Sequence, residues 1–114
     1  MRTHVLDHHP SFRAVLAAAP SIFELARAAN DDSLFAHLAL AAGELVSGFH
    51  APLGSRTRSG AHHRAWTLVR ELDRSVTALR LNRRAPAPIL ARAQRAIDRA
   101  DVMIGALPGV IPAA

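Results

Sequence analysis

The sequence predicts an all-α fold, an antiparallel up-down four-helix bundle built as one domain over residues 1–114. Three observations carry this. Alternating apolar residues are scarce and β-branched residues are few, while Ala, Leu and Arg dominate, so strands have little to build on. Apolar residues instead recur at three- and four-residue spacing in four segments, about 11–29, 33–50, 61–84 and 89–107. The breaks between them are short, which favours sequential antiparallel packing. Half of the 114 residues are apolar, and that length suits one packed core.

The first helix is expected to begin near Pro10-Ser11, since proline suits an early helical position. Phe12, Val15, Leu16, Ala19, Phe23 and Ala26 supply its apolar stripe. Pro20 deletes one backbone donor within it, and Ser21-Ile22-Phe23-Glu24 reads as a capping box that restarts the helix. One kinked helix and two short ones both fit. Asn30-Asp31-Asp32-Ser33 is a turn ending in an N-cap. Leu34, Phe35, Leu38, Ala41, Ala42, Leu45 and Phe49 then form the stripe of a second helix, with Leu40 outside it and available to an oligomer contact.

Residues 51–60 are rich in turn formers and read as the longest break, a basic loop carrying Arg56 and Arg58. Ala65, Leu68, Val69, Leu72, Val76 and Leu79 line the third helix, with Arg70, Arg74 and Arg84 facing away. Ala85-Pro86-Ala87-Pro88 forces a reversal. The fourth helix buries Ile89, Leu90, Ala93, Ile97, Ala100 and Ile104, and presents Arg92, Arg95 and Arg99 nearly in a line. Pro108-Gly109 stops it, and residues 110–114 read as a loose tail.

Charge is the strongest functional signal. All 14 cationic side chains are arginine, and there is no lysine. Residues 1–55 carry three arginines against five acids, whereas residues 56–99 carry eleven against Glu71, Asp73 and Asp98, a balance of +8. A GC-rich genome accounts for the missing lysine but not for this asymmetry. Clustered positive charge of this kind steers and holds phosphate. The candidate nucleic-acid-binding residues are Arg56, Arg58, Arg64, Arg70, Arg74, Arg84, Arg92, Arg95 and Arg99. Trp66, the single tryptophan, falls beside them, where it can stack on a base or sit in an interface. No helix-turn-helix, zinc-finger or RNA-recognition pattern is present, so contact with RNA or DNA through backbone phosphates is the expected mode.

Other chemistries find less support. The absence of cysteine removes disulfides, thiolate metal ligands and thiol nucleophiles, and it suits a reducing, cytoplasmic setting. Met1-Arg2 leads into His8-His9-Pro10 without an apolar run, so no secretory signal is expected. The apolar stretches are too short to span a bilayer, and the basic faces lack an adjoining apolar stripe, so no membrane partner is expected. The adjacent pairs His8-His9 and His62-His63 diverge on a helix, and His37 with Glu44 has no second ligand pair, so neither a metal nor any other cofactor is expected. No catalytic triad, P-loop or dinucleotide fingerprint is readable, and the default is a protein that is not an enzyme.

One catalytic alternative remains open. Arg58 and His63 stand at R-x4-H spacing, the signature of the HEPN ribonucleases, in which histidine moves a proton while arginine holds charge. Gly60 and Ser59 depart from the usual mid-helix, polar context of that motif. A generic helical interaction module is the third reading.

The chain also resembles the accessory variability determinant proteins of diversity-generating retroelements and the related four-helix-bundle proteins of ribosomal-RNA intervening sequences. The resemblance lies in Ser55-Arg56-Thr57-Arg58-Ser59, the helix from Trp66 to Leu79, the block Pro88-Ile-Leu-Ala-Arg-Ala-Gln-Arg-Ala-Ile97 and the ending Met103-Ile-Gly-Ala-Leu107, across roughly residues 11–107. It implies a homopentameric barrel with a basic surface that docks on a reverse transcriptase and its template RNA. The chain departs from the family in having no lysine and in carrying Pro20 within helix one. It also has no asparagine-bearing motif after helix two, which favours the retroelement branch.

Overall fold

The computed structural model describes residues 9–110, in which four helices and no strand occur. α1 (Pro10–Ala29) runs unbroken through Pro20. Pro20 sits on the exposed side, where water can satisfy the carbonyl one turn back that loses its amide partner. Because the helix is continuous, the capping box expected at Ser21–Glu24 does not form: its amides already have partners. Asn30 ends α1 in the left-handed conformation, φ 53°, and the Asp31 amide donates to the Ala26 carbonyl.

α2 (Ser33–His50) starts without a side-chain cap from its N-cap residue Asp32. Asp31 does that work instead, its Oδ1 accepting from the Ser33 amide at 3.1 Å and the Ser33 hydroxyl at 2.6 Å. α3 (Arg56–Leu81) begins at Arg56 rather than Ala61 and ends at Leu81 rather than Arg84. The Ser55 hydroxyl caps it by accepting from the Arg58 amide at 3.1 Å. Arg56 and Arg58 therefore belong to a helix, not to a loop. Arg83 closes the far end with φ 52° while the Arg84 amide donates to the Leu79 carbonyl. α4 (Ala87–Gly105) takes in Pro88, whose missing amide costs nothing in a first turn, and it stops short of the expected Leu107.

The helices form a closed ring of neighbours: α1 packs on α2 and α4, and α3 packs on α2 and α4. His9, just before α1, stacks on Phe49 of α2 at 3.8 Å, and Phe23 meets Phe35 edge-on at 5.8 Å. One contiguous core fills the ring, with Ile22, Leu25, Leu34, Leu45, Leu72, Ile97 and Ile104 as its largest fully buried side chains. Each contributes about 1.5–3 kcal/mol of apolar burial.

The apolar faces of α2, α3 and α4 follow the sequence pattern, apart from Phe35, which is 41% exposed. The face of α1 is turned. Ala14, Val15, Ala18, Ile22, Leu25 and Ala29 point inward, whereas Leu16 and Phe23 are about half exposed, at 49% and 50%. Small alanines beneath Ile22 and Leu25 permit close helix approach, a better fit than burying Phe23. Val110, expected in a loose tail, is buried; residues 111–114 lie outside the described residues.

Candidate nucleic-acid interface

The nine candidate arginines occupy three seams and two ends of the bundle rather than one uninterrupted surface. On the α2–α3 seam Arg64 donates from Nε to Glu44 Oε2 at 2.6 Å. On the α3–α4 seam Arg70 lies 3.7 Å from Asp101 and 5.2 Å above the Trp66 ring. Arg74 pairs with Glu71 within α3. On the α1–α4 seam Arg92 reaches Glu24 at 2.8 Å. Four candidates are thus held by carboxylates of the same chain. All four pairs are exposed enough that each contributes only about 0–1 kcal/mol, so a phosphate competes for these guanidiniums at little expense.

The remaining five differ among themselves. Arg58 is half buried, donates to the Ala51 carbonyl at 3.1 Å and lies 5.6 Å over the Phe49 ring. Arg56, Arg84, Arg95 and Arg99 are exposed, with no carboxylate partner among the described residues. Arg84 follows α3, next to Arg83, and gives that end of the bundle a basic tip.

Arg13 was missed by the sequence reading. It lies in the acid-balanced first half, yet with Arg99 it flanks a cleft of about 280 Å³ between α1 and α4, along with Pro10, Ala14 and Ala17. Arg95 is one turn from Arg99 on the exposed side of α4. Pro10, the first residue of α1, lines this cleft and so sets the positive end of the helix dipole beside it. Only the tertiary pairing of α1 with α4 joins Arg13 to the α4 line, so no local signal announced it.

Trp66 is half buried at the α3–α4 edge, facing Gly105, where an added Cβ would lie 3.5 Å from the indole nitrogen. Its exposed edge lies between His63, 6.0 Å away, and Arg70. Arg58 and His63 do not converge: Arg58 turns inward over Phe49, while His63 points out beside Trp66.

The neighbour that does converge with Arg58 is His62. It is 2% exposed and packs against Gly48 and, at 4.8 Å, the Phe49 ring. Among the described residues neither ring nitrogen makes a well-formed hydrogen bond, although the Pro108 carbonyl approaches the ring. Burial, then the charge of Arg58, hold its pKa below the ordinary 6.5; the Pro108 carbonyl opposes them, and His9 adds a smaller downward push.

No helix of the described residues is long and apolar enough to cross a membrane. Compared with known proteins, the chain matches no family model, no curated sequence and no solved structure.

Proposed function

We propose that this chain is a non-catalytic accessory protein that binds RNA or DNA through phosphate contacts. The observation that carries the reading is the α1–α4 face, where Arg13 and Arg99 flank a cleft, Arg95 stands one turn from Arg99, and none of the three has a carboxylate partner among the described residues. Arg92, on the same seam, joins them once it leaves Glu24. Such a face recognises the backbone rather than bases, and its affinity falls steeply with salt.

The bundle is antiparallel and up-down in this reading. In support, the start of α1 meets the end of α2 through His9 and Phe49, and the end of α2 meets the start of α3 through Gly48 and His62. Self-association is supported by exposed apolar side chains, Leu16, Phe23 and Phe35 on the α1–α2 side and Leu40 on the flank of α2 that carries Glu44, each more than 40% exposed. By the resemblance stated above, the partner is a reverse transcriptase with its template RNA, and the assembly is a homopentameric barrel in the cytoplasm.

Fluorescence anisotropy with a single-stranded RNA tests the central claim. Changing Arg13, Arg95 and Arg99 together to Glu should weaken binding at least tenfold and lower the slope of log K against log salt by about 2, the value for three lost contacts to a single strand. Unchanged affinity in a variant that melts like the parent defeats the proposal.

A further inference from the structure

A second cleft, of about 330 Å³, opens between the start of α3 and the turn after α4. It is lined by Leu53, Ser55, Arg58, Ser59, His62 and Pro108, with the glycines 54 and 109 at its edges. We propose that it is a binding site for a phosphate monoester, taken from the 5′ end of the nucleic acid held on the α1–α4 face. The inference rests on the nucleic-acid reading above.

Four features define the ligand. His62 lines the cleft, is 2% exposed, and makes no well-formed hydrogen bond from either ring nitrogen among the described residues, with Nε2 toward Gly48 and only the Pro108 carbonyl approaching the ring. A buried imidazole in that state is unfavourable unless a ligand supplies the missing bonds. Arg58 is fixed over Phe49 by the Ala51 carbonyl, which engages only one terminal nitrogen and leaves its other donors for an anion. Ser55 accepts from the Arg58 amide, so its hydroxyl proton is still to be donated. Ser55, the N-cap of α3, lines the cleft, which sets the positive end of that helix beside it.

The donor set distinguishes a monoester from its alternatives. A monoester has a second pKa near 6, adjacent to that of imidazole, so one proton can sit on either partner and a bond forms in both states. A carboxylate ionises well below that range and offers acceptors only. A phosphodiester inside a chain carries one charge and no exchangeable proton. The apolar walls, Leu53 and Pro108, leave room for the terminal sugar.

Position supports the same source. His9 stacks on Phe49, which packs on His62, so the start of α1 and the start of α3 share one end of the bundle. Arg13 lies in the first turn of α1 and Ser55 caps α3, so the two clefts lie toward the same end of the bundle.

The test compares a 5′-phosphorylated single-stranded oligonucleotide with its 5′-hydroxyl twin, together with inorganic phosphate, a nucleoside 5′-monophosphate and acetate followed through the His62 ring resonances by NMR. The phosphorylated strand should bind about tenfold more tightly, a margin that one charged hydrogen bond supplies. Both phosphate probes should shift His62, with acetate far weaker. Arg58→Gln should abolish the margin between the two strands. Equal binding of the two strands with His62 unmoved by phosphate overturns the inference and leaves the arginine face standing. An equal response to acetate overturns the choice of phosphate. Failure of both strands to bind overturns the functional reading instead, and the mononucleotide titration still decides the pocket. The wild-type titration needs no variant to fold.

Discussion

Replacing Gly109 by alanine tests how the turn after α4 is seated. Gly109 has φ +86°, and an added Cβ would land on Ser59 Cβ and 3.0 Å from its Cα, which is backbone. The left-handed conformation costs an L side chain about 1–2 kcal/mol, and forcing a methyl against α3 adds about 1–3 kcal/mol. Gly54 separates the two terms, since it has φ +75° and open space around its Cβ direction. Gly54→Ala should therefore lose only the conformational part, about 1 kcal/mol. Gly43 provides the opposite control: it is helical with nothing within 4 Å, so Gly43→Ala should gain about 1 kcal/mol. Unfolding entropy of about 2.1 cal/mol/K per residue makes 1 kcal/mol worth roughly 4 °C in a chain of this length. Thermal melts by circular dichroism should then fall by about 8–20 °C for Gly109→Ala, fall by about 4 °C for Gly54→Ala, and rise by about 4 °C for Gly43→Ala. If the first two variants melt together, the turn does not press on Ser59 and the reasoning fails.

Three further outcomes are expected. His62 has its folded pKa below 6.5, so the unfolded chain takes the proton first; stability is complete above pH 6.5 and declines as pH falls through the window beneath it. Urea melts at pH 7.5 and 5.5 should show that loss, and His62→Leu should flatten it. Ser11→Ala removes a buried hydroxyl that has no partner among the described residues and should raise stability by about 1 kcal/mol in the same melts. Arg74→Gln breaks an exposed pair with Glu71 and should move stability by no more than about 0.5 kcal/mol, a change beyond about 1 kcal/mol marking it as structural.

The four helices and most of their inner faces were legible because periodicity is written locally into the chain. The errors have local causes too. Gly60 and the polar run before it look like a loop, yet Ser55 caps α3 five residues ahead of that glycine and the core side chains hold the rest. The turn of α1 away from Phe23 was not readable, because two overlapping stripes exist on that helix and the partner's shape chooses between them. The site divides along the same line. Arg95 and Arg99 could be found from spacing within α4, whereas Arg13 and the cleft at His62 depend on pairs far apart in sequence. Arg64 and Arg92 likewise met their carboxylates across seams that periodicity does not describe.

The closed ring of neighbours has a temporal side. α1 touches α2 and α4, so half of its docking surface awaits the element made last. As the nascent chain leaves the ribosome, α2 and α3 can already clasp each other, while Ile22 and Leu25 remain short of their final cover. Completion of the four-helix ring is then an event that follows synthesis of α4, and the basic cleft shared by Arg13 and Arg99 comes into being at that same moment. A half-made chain has no such cleft.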